Sequence, residues 1–124
     1  MFLFTKKEKL CNEKTIQRLF ENGQSISEKP FRIIWNFEAN KEDIFVKSLI
    51  VVSKKKIKLS TKRNHVKRKI REAYRIQKNK LERALKMNNQ QLNLAILYQE
   101  ERVLEFNTIE QKIKLLIIRL IDKL

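Results

Sequence analysis

The first chemical feature of this chain is a concentration of cationic side chains. Residues 54–78 hold twelve lysine and arginine residues and a single acid, Glu72, and so carry +11 of the formal net charge of +15. Like charges at helical spacing repel one another by about a few tenths of a kcal/mol per pair. An external polyanion relieves this repulsion, and phosphates release condensed counterions when Lys and Arg replace them. The segment therefore predicts binding to nucleic acid.

The cationic segment has the pattern of an amphipathic helix. Ser60 and Thr61 are candidates for its N-cap, and no Gly or Pro interrupts the chain from about Lys62 onward. At about 100° per residue, the side chains fall into an apolar arc and a cationic arc. The apolar arc contains Val66, Ile70, Ala73, Gln77 and Leu81, and the cationic arc contains Asn64, Lys67, Arg68, Arg71, Arg75 and Lys78. We expect the first arc to pack on a core and the second to face nucleic acid.

Residues suited to catalysis or metal binding are scarce. Cys11 is the single cysteine, His65 the single histidine and Gly23 the single glycine, so the chain has neither a Cys/His metal motif nor a Gly-rich phosphate loop. A lone cysteine fits a reducing compartment, and no apolar run approaches the ~18–20 residues of a membrane span. We expect a cytoplasmic protein with no membrane partner, no catalytic residue and no metal site of its own.

The rest of the chain alternates between helical and strand patterns. Asn12 is positioned to cap a helix over Glu13–Asn22, which Gly23 ends in a left-handed conformation. Period-two alternation predicts strands over Phe31–Phe37 and residues 91–98. A further strand is predicted over residues 45–53, and its run 49–52 is apolar on both faces, which is typical of a central strand.

A last helix is predicted over residues 108–124. Its apolar stripe leaves Leu115 and Ile118 outside, and burial of both within the domain is favoured over pairing with a partner. The order α-β-β-(β)-α-β-α indicates an α+β fold, a single two-layer domain over residues 1–124 with about four strands packed by helices.

The aromatic residues raise one further possibility. Phe20 on the first helix, with Phe31, Trp35 and Phe37 on a strand, would form a stacking platform for unpaired bases. The alternative for each of these residues is burial in the core.

Three segments, in chain order, resemble the protein component of bacterial ribonuclease P. Residues 62–73, KRNHVKRKIREA, are similar to the family signature R-N-R-x-K-R-x-x-R-E. Residues 52–55, VSKK, resemble the strand end that precedes that signature, and residues 19–23 with 30–32 resemble the N-terminal helix and first strand. Two positions differ from the family, since His65 replaces an arginine and Ile16 occupies a site that is often aromatic.

The resemblance implies a protein subunit that assists a catalytic RNA in removing the 5′ leader from precursor tRNA. The active site and its magnesium ions would belong to the RNA, and the basic helix would lie in a left-handed β-α-β crossover. The resemblance implies that Arg63, Asn64, Lys67, Arg68 and Arg71 face the catalytic RNA. The predicted RNA-binding residues also include Lys54, Lys55, Lys62, His65 and Arg75. Ile16, Phe20 and Ile34 would line a cleft for the single-stranded leader.

The expected partners are therefore the catalytic RNA subunit and precursor tRNA, with the protein monomeric in the complex. The alternative that the residues leave open is a non-enzymatic binder of structured RNA, of the ribosomal-protein type, which would use the same helix as a phosphate clamp.

Overall fold

Three helices and a four-stranded sheet make up the computed structural model, which describes residues 8–124. The elements in chain order are α1 (Glu13–Asn22), β1 (Gln24–Glu28), β2 (Phe31–Phe37), β3 (Val46–Val52), α2 (Ser60–Met87), β4 (Leu92–Tyr98) and α3 (Phe106–Asp122). The predicted α+β class with about four strands is confirmed. The predicted order left open whether two or three strands precede the basic helix. The structure has three, and the additional strand is β1, which pairs with β2 in an antiparallel hairpin.

The strand order in the sheet is β1-β2-β4-β3. β2 and β4 are antiparallel, whereas β3 and β4 are parallel neighbours joined through α2, which is the expected β-α-β crossover. Its left-handed sense stays a prediction.

The expectation that β3 is a central strand is wrong, because β3 lies at an edge of the sheet. Its residues are apolar in both directions because both faces of the strand are covered. Val46 and Val52 join the main core, while Leu49 and Val51 pack against a second apolar cluster on the other side. Coverage of both faces explains the pattern, since β4 is the one full strand beside β3 within residues 8–124 and its outer edge makes only an isolated bridge, between Lys9 and Ser48.

Alternate residues of each strand face opposite sides of the sheet, which we call the core face and the open face. The core face is packed by α2 and α3. Its strand residues are Ile26, Phe31, Ile33, Trp35, Val46, Val52, Leu92, Leu94, Ile96 and Tyr98. The open face includes Ser25, Ser27, Arg32, Ile34, Leu49, Val51, Ala95 and Leu97. It is covered in part by α1, whose Leu19 packs with Ile34, Ala95 and Leu97.

Helix α1 has the predicted bounds, and the Asn12 side chain accepts hydrogen bonds from the backbone N–H groups of Lys14 and Thr15. The left-handed conformation predicted for Gly23 is wrong, because its φ is −70° and its ψ is 152°. A Cβ atom at this position would lie 2.4 Å from the Leu19 carbonyl oxygen and 2.6 Å from Cγ2 of Ile34. Glycine is thus required by the close approach of α1 to the sheet.

The capping prediction for α2 is also wrong. The helix begins at Ser60, so Leu59 occupies the N-cap position and makes no side-chain capping bond. The apolar arc is confirmed, since all five of its members are buried. The helix continues to Met87.

The expectations for α3 and for the aromatic platform need correction. Leu115 and Ile118 are each 41% exposed, so α3 buries only the stripe that faces the core. Phe31 and Trp35 are each 1% exposed and lie on the core face, whereas α1 carries Phe20 over the open face. These aromatic side chains therefore form no common platform.

Candidate nucleic-acid interface

The predicted RNA-binding residues lie on α2 between Lys62 and Arg75 and in the turn that precedes the helix. Lys62, Asn64, His65, Arg68 and Arg71 are exposed, and Lys67 is half-buried. Lys54 and Lys55 are exposed in the turn after β3. Within residues 8–124, none of these eight side chains forms an ion pair or a hydrogen bond with another side chain or with the backbone. They form a cationic surface without internal neutralisation.

Arg63 and Arg75 differ from the other predicted contacts because each has a partner inside the protein. Arg63 Nη1 donates to the carbonyl oxygens of Ile57 at 2.9 Å and Lys58 at 2.8 Å, and so fixes the segment that leads into α2. Arg75 donates to both carboxylate oxygens of Glu72, at 2.6 and 3.0 Å, and this contact holds the pKa of Glu72 below its usual value.

Two further cations of residues 54–78 support the fold. Lys69 Nζ donates to the carbonyl oxygen of Leu104 at 2.8 Å, which ties α2 to the segment before α3. Lys78, predicted to lie on the cationic arc, is 4% exposed, and its ammonium group pairs with Glu8. The helical wheel gives no signal for this burial, because Lys67 lies closer to the apolar arc than Lys78 does and is only half-buried.

The predicted leader-cleft residues occupy different depths of the open face. Ile34 is 4% exposed and, with the half-buried Ile16, belongs to the cluster that α1 covers. Phe20 is 43% exposed. The structure thus packs Ile16 of α1 into the same cluster as Ile34 of the sheet and leaves the Phe20 ring accessible from solvent.

The cationic helix and the open face meet at the edge of β3. Lys67 and Arg71 line a hollow of about 210 Å³ together with Leu49 of the open face and Cys11 before α1. The segment before α1 runs along this edge, where Lys9 bridges Ser48 and the backbone N–H of Leu10 donates to the Ser48 carbonyl oxygen at 2.9 Å. Lys9 and Leu10 line the same hollow, so the cationic helix and the open face are adjacent across this short segment.

One candidate residue escaped the sequence reasoning. Arg32 is exposed on β2, opposite Ser27 of β1 and Leu97 of β4, and therefore lies on the open face. The period-two pattern held the signal, because a strand that buries Phe31, Ile33 and Trp35 directs Arg32 to the other side.

The described residues contain no assembly suited to holding a metal ion. Within residues 8–124, no group of three or more His, Cys, Asp or Glu side chains lies together. Over the same range, no helix has the length and apolar character needed to cross a membrane.

Comparisons with known proteins agree with the resemblance seen in the sequence. The profile of the family described as Ribonuclease P matches residues 4–120. The ribonuclease P protein components of two Porphyromonas gingivalis strains are each 28% identical to the chain over 119 residues, which is 96% of this chain and 87% of theirs.

Solved structures share the fold. A Staphylococcus aureus RNase P protein superposes with a TM-score of 0.72 at 20% identity, over 91% of this chain and 94% of the other. The RNase P protein from Thermotoga maritima gives 0.68 at 19% identity, over 94% and 97%. The chain therefore belongs to the ribonuclease P protein family, the protein subunits of a ribonucleoprotein endoribonuclease that acts in tRNA 5′ maturation.

Proposed function

We propose that the chain helps its catalytic RNA to bind precursor tRNA by placing two different surfaces side by side. The observation that carries this proposal is the meeting of the unneutralised cationic surface of α2 with the open face at the edge of β3. One surface offers positive charge to folded RNA, and the other offers apolar and aromatic groups to a single strand.

The cationic surface is assigned to the catalytic RNA. Its lysine and arginine side chains have no competing acids within the described residues, so phosphate contacts replace only water and ions. Each phosphate neutralised releases counterions, which makes the affinity strongly dependent on salt. His65, in place of the family arginine, contributes no permanent charge at this surface.

The open face is assigned to the 5′ leader. Phe20 is exposed for stacking on a base, while Ile16 and Ile34 shape the apolar floor beneath α1. No side chain of the protein is assigned to bond cleavage. The magnesium ions that the reaction requires are assigned to the RNA subunit, and the protein is proposed to be monomeric in the complex.

The direct test is cleavage of a precursor tRNA by a cognate catalytic RNA with and without this protein. We expect the protein to speed leader removal at low magnesium concentration and to cut nothing by itself. Cleavage by the isolated chain, or an unchanged rate with the RNA, would contradict the proposal. Sedimentation of the reconstituted complex measures its protein stoichiometry, and two copies would contradict the monomeric assignment.

The assignment of the cationic surface is tested by Arg68→Ala and Arg71→Ala. Each variant should weaken binding to the catalytic RNA and reduce the slope of log affinity against log salt by up to about 1. Arg83→Ala is the matched control, because Arg83 is also exposed on α2 but lies outside the signature. Equal losses for all three variants would show that the helix attracts RNA without a defined docking site.

A further inference from the structure

We propose that Arg32, together with the hydroxyl groups of Ser25 and Ser27, binds one phosphodiester group of the single-stranded leader. The proposal rests on the assignment of the open face to the leader and adds a specific contact to it. The ligand chemistry is an RNA backbone phosphate, and the site lies on the β1–β2 hairpin, away from the signature helix.

The strand register places the three side chains on one face. Ser27 pairs directly with Arg32, and Ser25 pairs with Ile34, two positions further along β2. Ile26 and Ile33, which also pair with each other, are both buried on the core face. Because successive strand residues alternate between faces, Ser25, Ser27 and Arg32 all point to the open face. All three are exposed.

The charge of Arg32 is not neutralised within residues 8–124. Its Nη2 atom donates to Oγ of Ser25 over a long 3.4 Å, and it forms no ion pair with a described residue. The acid nearest along the hairpin, Glu28, is paired with Lys112 and Arg119 of α3. A guanidinium flanked by two hydroxyl donors matches the several acceptor oxygens of a phosphate.

Apolar surface lies next to this polar group. Arg32 is opposite Leu97 on β4, and Leu97 is in turn opposite the half-buried Val51 on β3. Leu97 itself is buried, at 9% exposure, so a nucleotide lying across these strands places its phosphate on Arg32 and directs its base toward the half-buried Val51. Single-stranded RNA is bound in this way, with its bases on apolar surface and its backbone on cations.

The first experiment compares Arg32→Met with Arg83→Met in the reconstituted holoenzyme. Both variants lose one guanidinium, but Arg83 lies on α2, which packs on the core face. The affinities are measured for a precursor tRNA with a leader of several nucleotides and for one with a single-nucleotide leader.

For Arg32→Met we expect a loss of about twofold to fivefold for the long leader alone, with a salt slope lower by about 0.7. Ser25→Ala/Ser27→Ala should give a smaller loss in the same direction. Equal effects on both substrates, or a loss no larger than that of Arg83→Met, would overturn the assignment.

The second experiment identifies the phosphate. Neutral methylphosphonate linkages are introduced one at a time along the leader, and each substrate is bound by the wild type and by Arg32→Met. At one leader position the neutral linkage already removes the charge that Arg32 contacts. Arg32→Met should cause no further loss of affinity for the substrate modified at that position. Additive losses at every position would refute a defined phosphate contact.

A free anion is the other source of the same chemistry, so inorganic phosphate is titrated into the protein alone. Suppose that inorganic phosphate binds in a way that depends on Arg32, but Arg32→Met does not weaken binding of the long-leader substrate. The ligand of the site would then be a free anion and not a phosphodiester of the leader. If Phe20→Ala weakens leader binding while Arg32→Met does not, only the present inference fails. If the wild-type protein gives no advantage to a longer leader, the proposed use of the open face fails as well.

Discussion

The two faces of the sheet are built from the same strands but differ in what covers them. On the core face, α2 and α3 bury Phe31 and Trp35 to 1% exposure. On the open face, α1 covers Ile34 but leaves Arg32 and two serines of β1 exposed. Alternate residues of one strand thus stabilise the fold or remain available for binding. The difference teaches that substitutions on the open face can change binding while the fold is retained.

The strongest test of this contrast is Trp35→Ala on the core face. Loss of a fully buried indole should lower the free energy of unfolding by about 3–5 kcal/mol, because of the lost burial and the cavity left behind. Chemical denaturation followed by circular dichroism measures this loss. A stable variant that loses only leader affinity would show that Trp35 serves the open face instead.

The second test separates structural cations from binding cations. Lys78→Met leaves the Glu8 carboxylate, whose side chain is 12% exposed, without its buried partner. Breaking such a pair should cost about 3 kcal/mol of stability. The double variant Glu8→Gln/Lys78→Met should recover part of that cost, since the Glu8 charge is removed together with the ammonium group that pairs with it. If Lys78→Met left the melting temperature unchanged but weakened RNA binding, Lys78 would be assigned to RNA binding and not to the stability of the fold.

On the open face, Phe20→Ala should have the opposite profile. Stability should change little, because the ring is already 43% exposed. Loss of base stacking should weaken binding of a long-leader substrate by about 1–3 kcal/mol, with no change for a single-nucleotide leader. Gln17→Ala, at another exposed position of α1, is the control. An equal loss of affinity for the long-leader and single-nucleotide-leader substrates would show that Phe20 does not contact the leader and acts on another part of RNA binding.

The smallest effect is expected at the end of α2, where burial raises the pKa of Glu82 above 4.5 despite the nearby charge of Lys78. A carboxyl whose pKa is higher in the folded state binds more protons there, so its charge lowers stability as pH rises through the folded pKa. Glu82→Gln should therefore stabilise the protein at pH 7 by about a few tenths of a kcal/mol, after solvent screening. The gain should vanish well below pH 4.5. Melting temperatures of the wild type and of Glu82→Gln between pH 7 and a pH well below 4.5 measure this gain in stability. A less stable variant at pH 7 would show that the attraction between Glu82 and Lys78 outweighs the cost of burying the charge.

Local pattern was sufficient for much of the fold. The period-two alternation of Phe31–Phe37 and the N-cap at Asn12 gave the bounds of β2 and α1 to the residue. Such features depend on neighbours a few positions away, which the sequence displays directly. The buried arc of α2 followed from the same periodicity.

Errors arose wherever the answer depended on residues far apart in the chain. Gly23 was expected to end α1 in a left-handed conformation, although glycine is required there by the close approach of the Leu19 carbonyl oxygen and the Ile34 side chain. Leu115 and Ile118 were expected to be buried, but no described element covers them fully. Arg63 was treated only as an RNA contact, although it also bonds the backbone ahead of α2.

The sequence by itself determined that a small α+β protein carries one concentrated cationic helix, and its motif indicated the family. Charge density and periodicity are properties of the chain, so no folding was needed to see them. Only the tertiary structure decided that β3 lies at an edge, which cations are neutralised internally and which side of β2 stays open. Strand order and ion pairing depend on which distant segments meet, and a local pattern carries no information about those meetings.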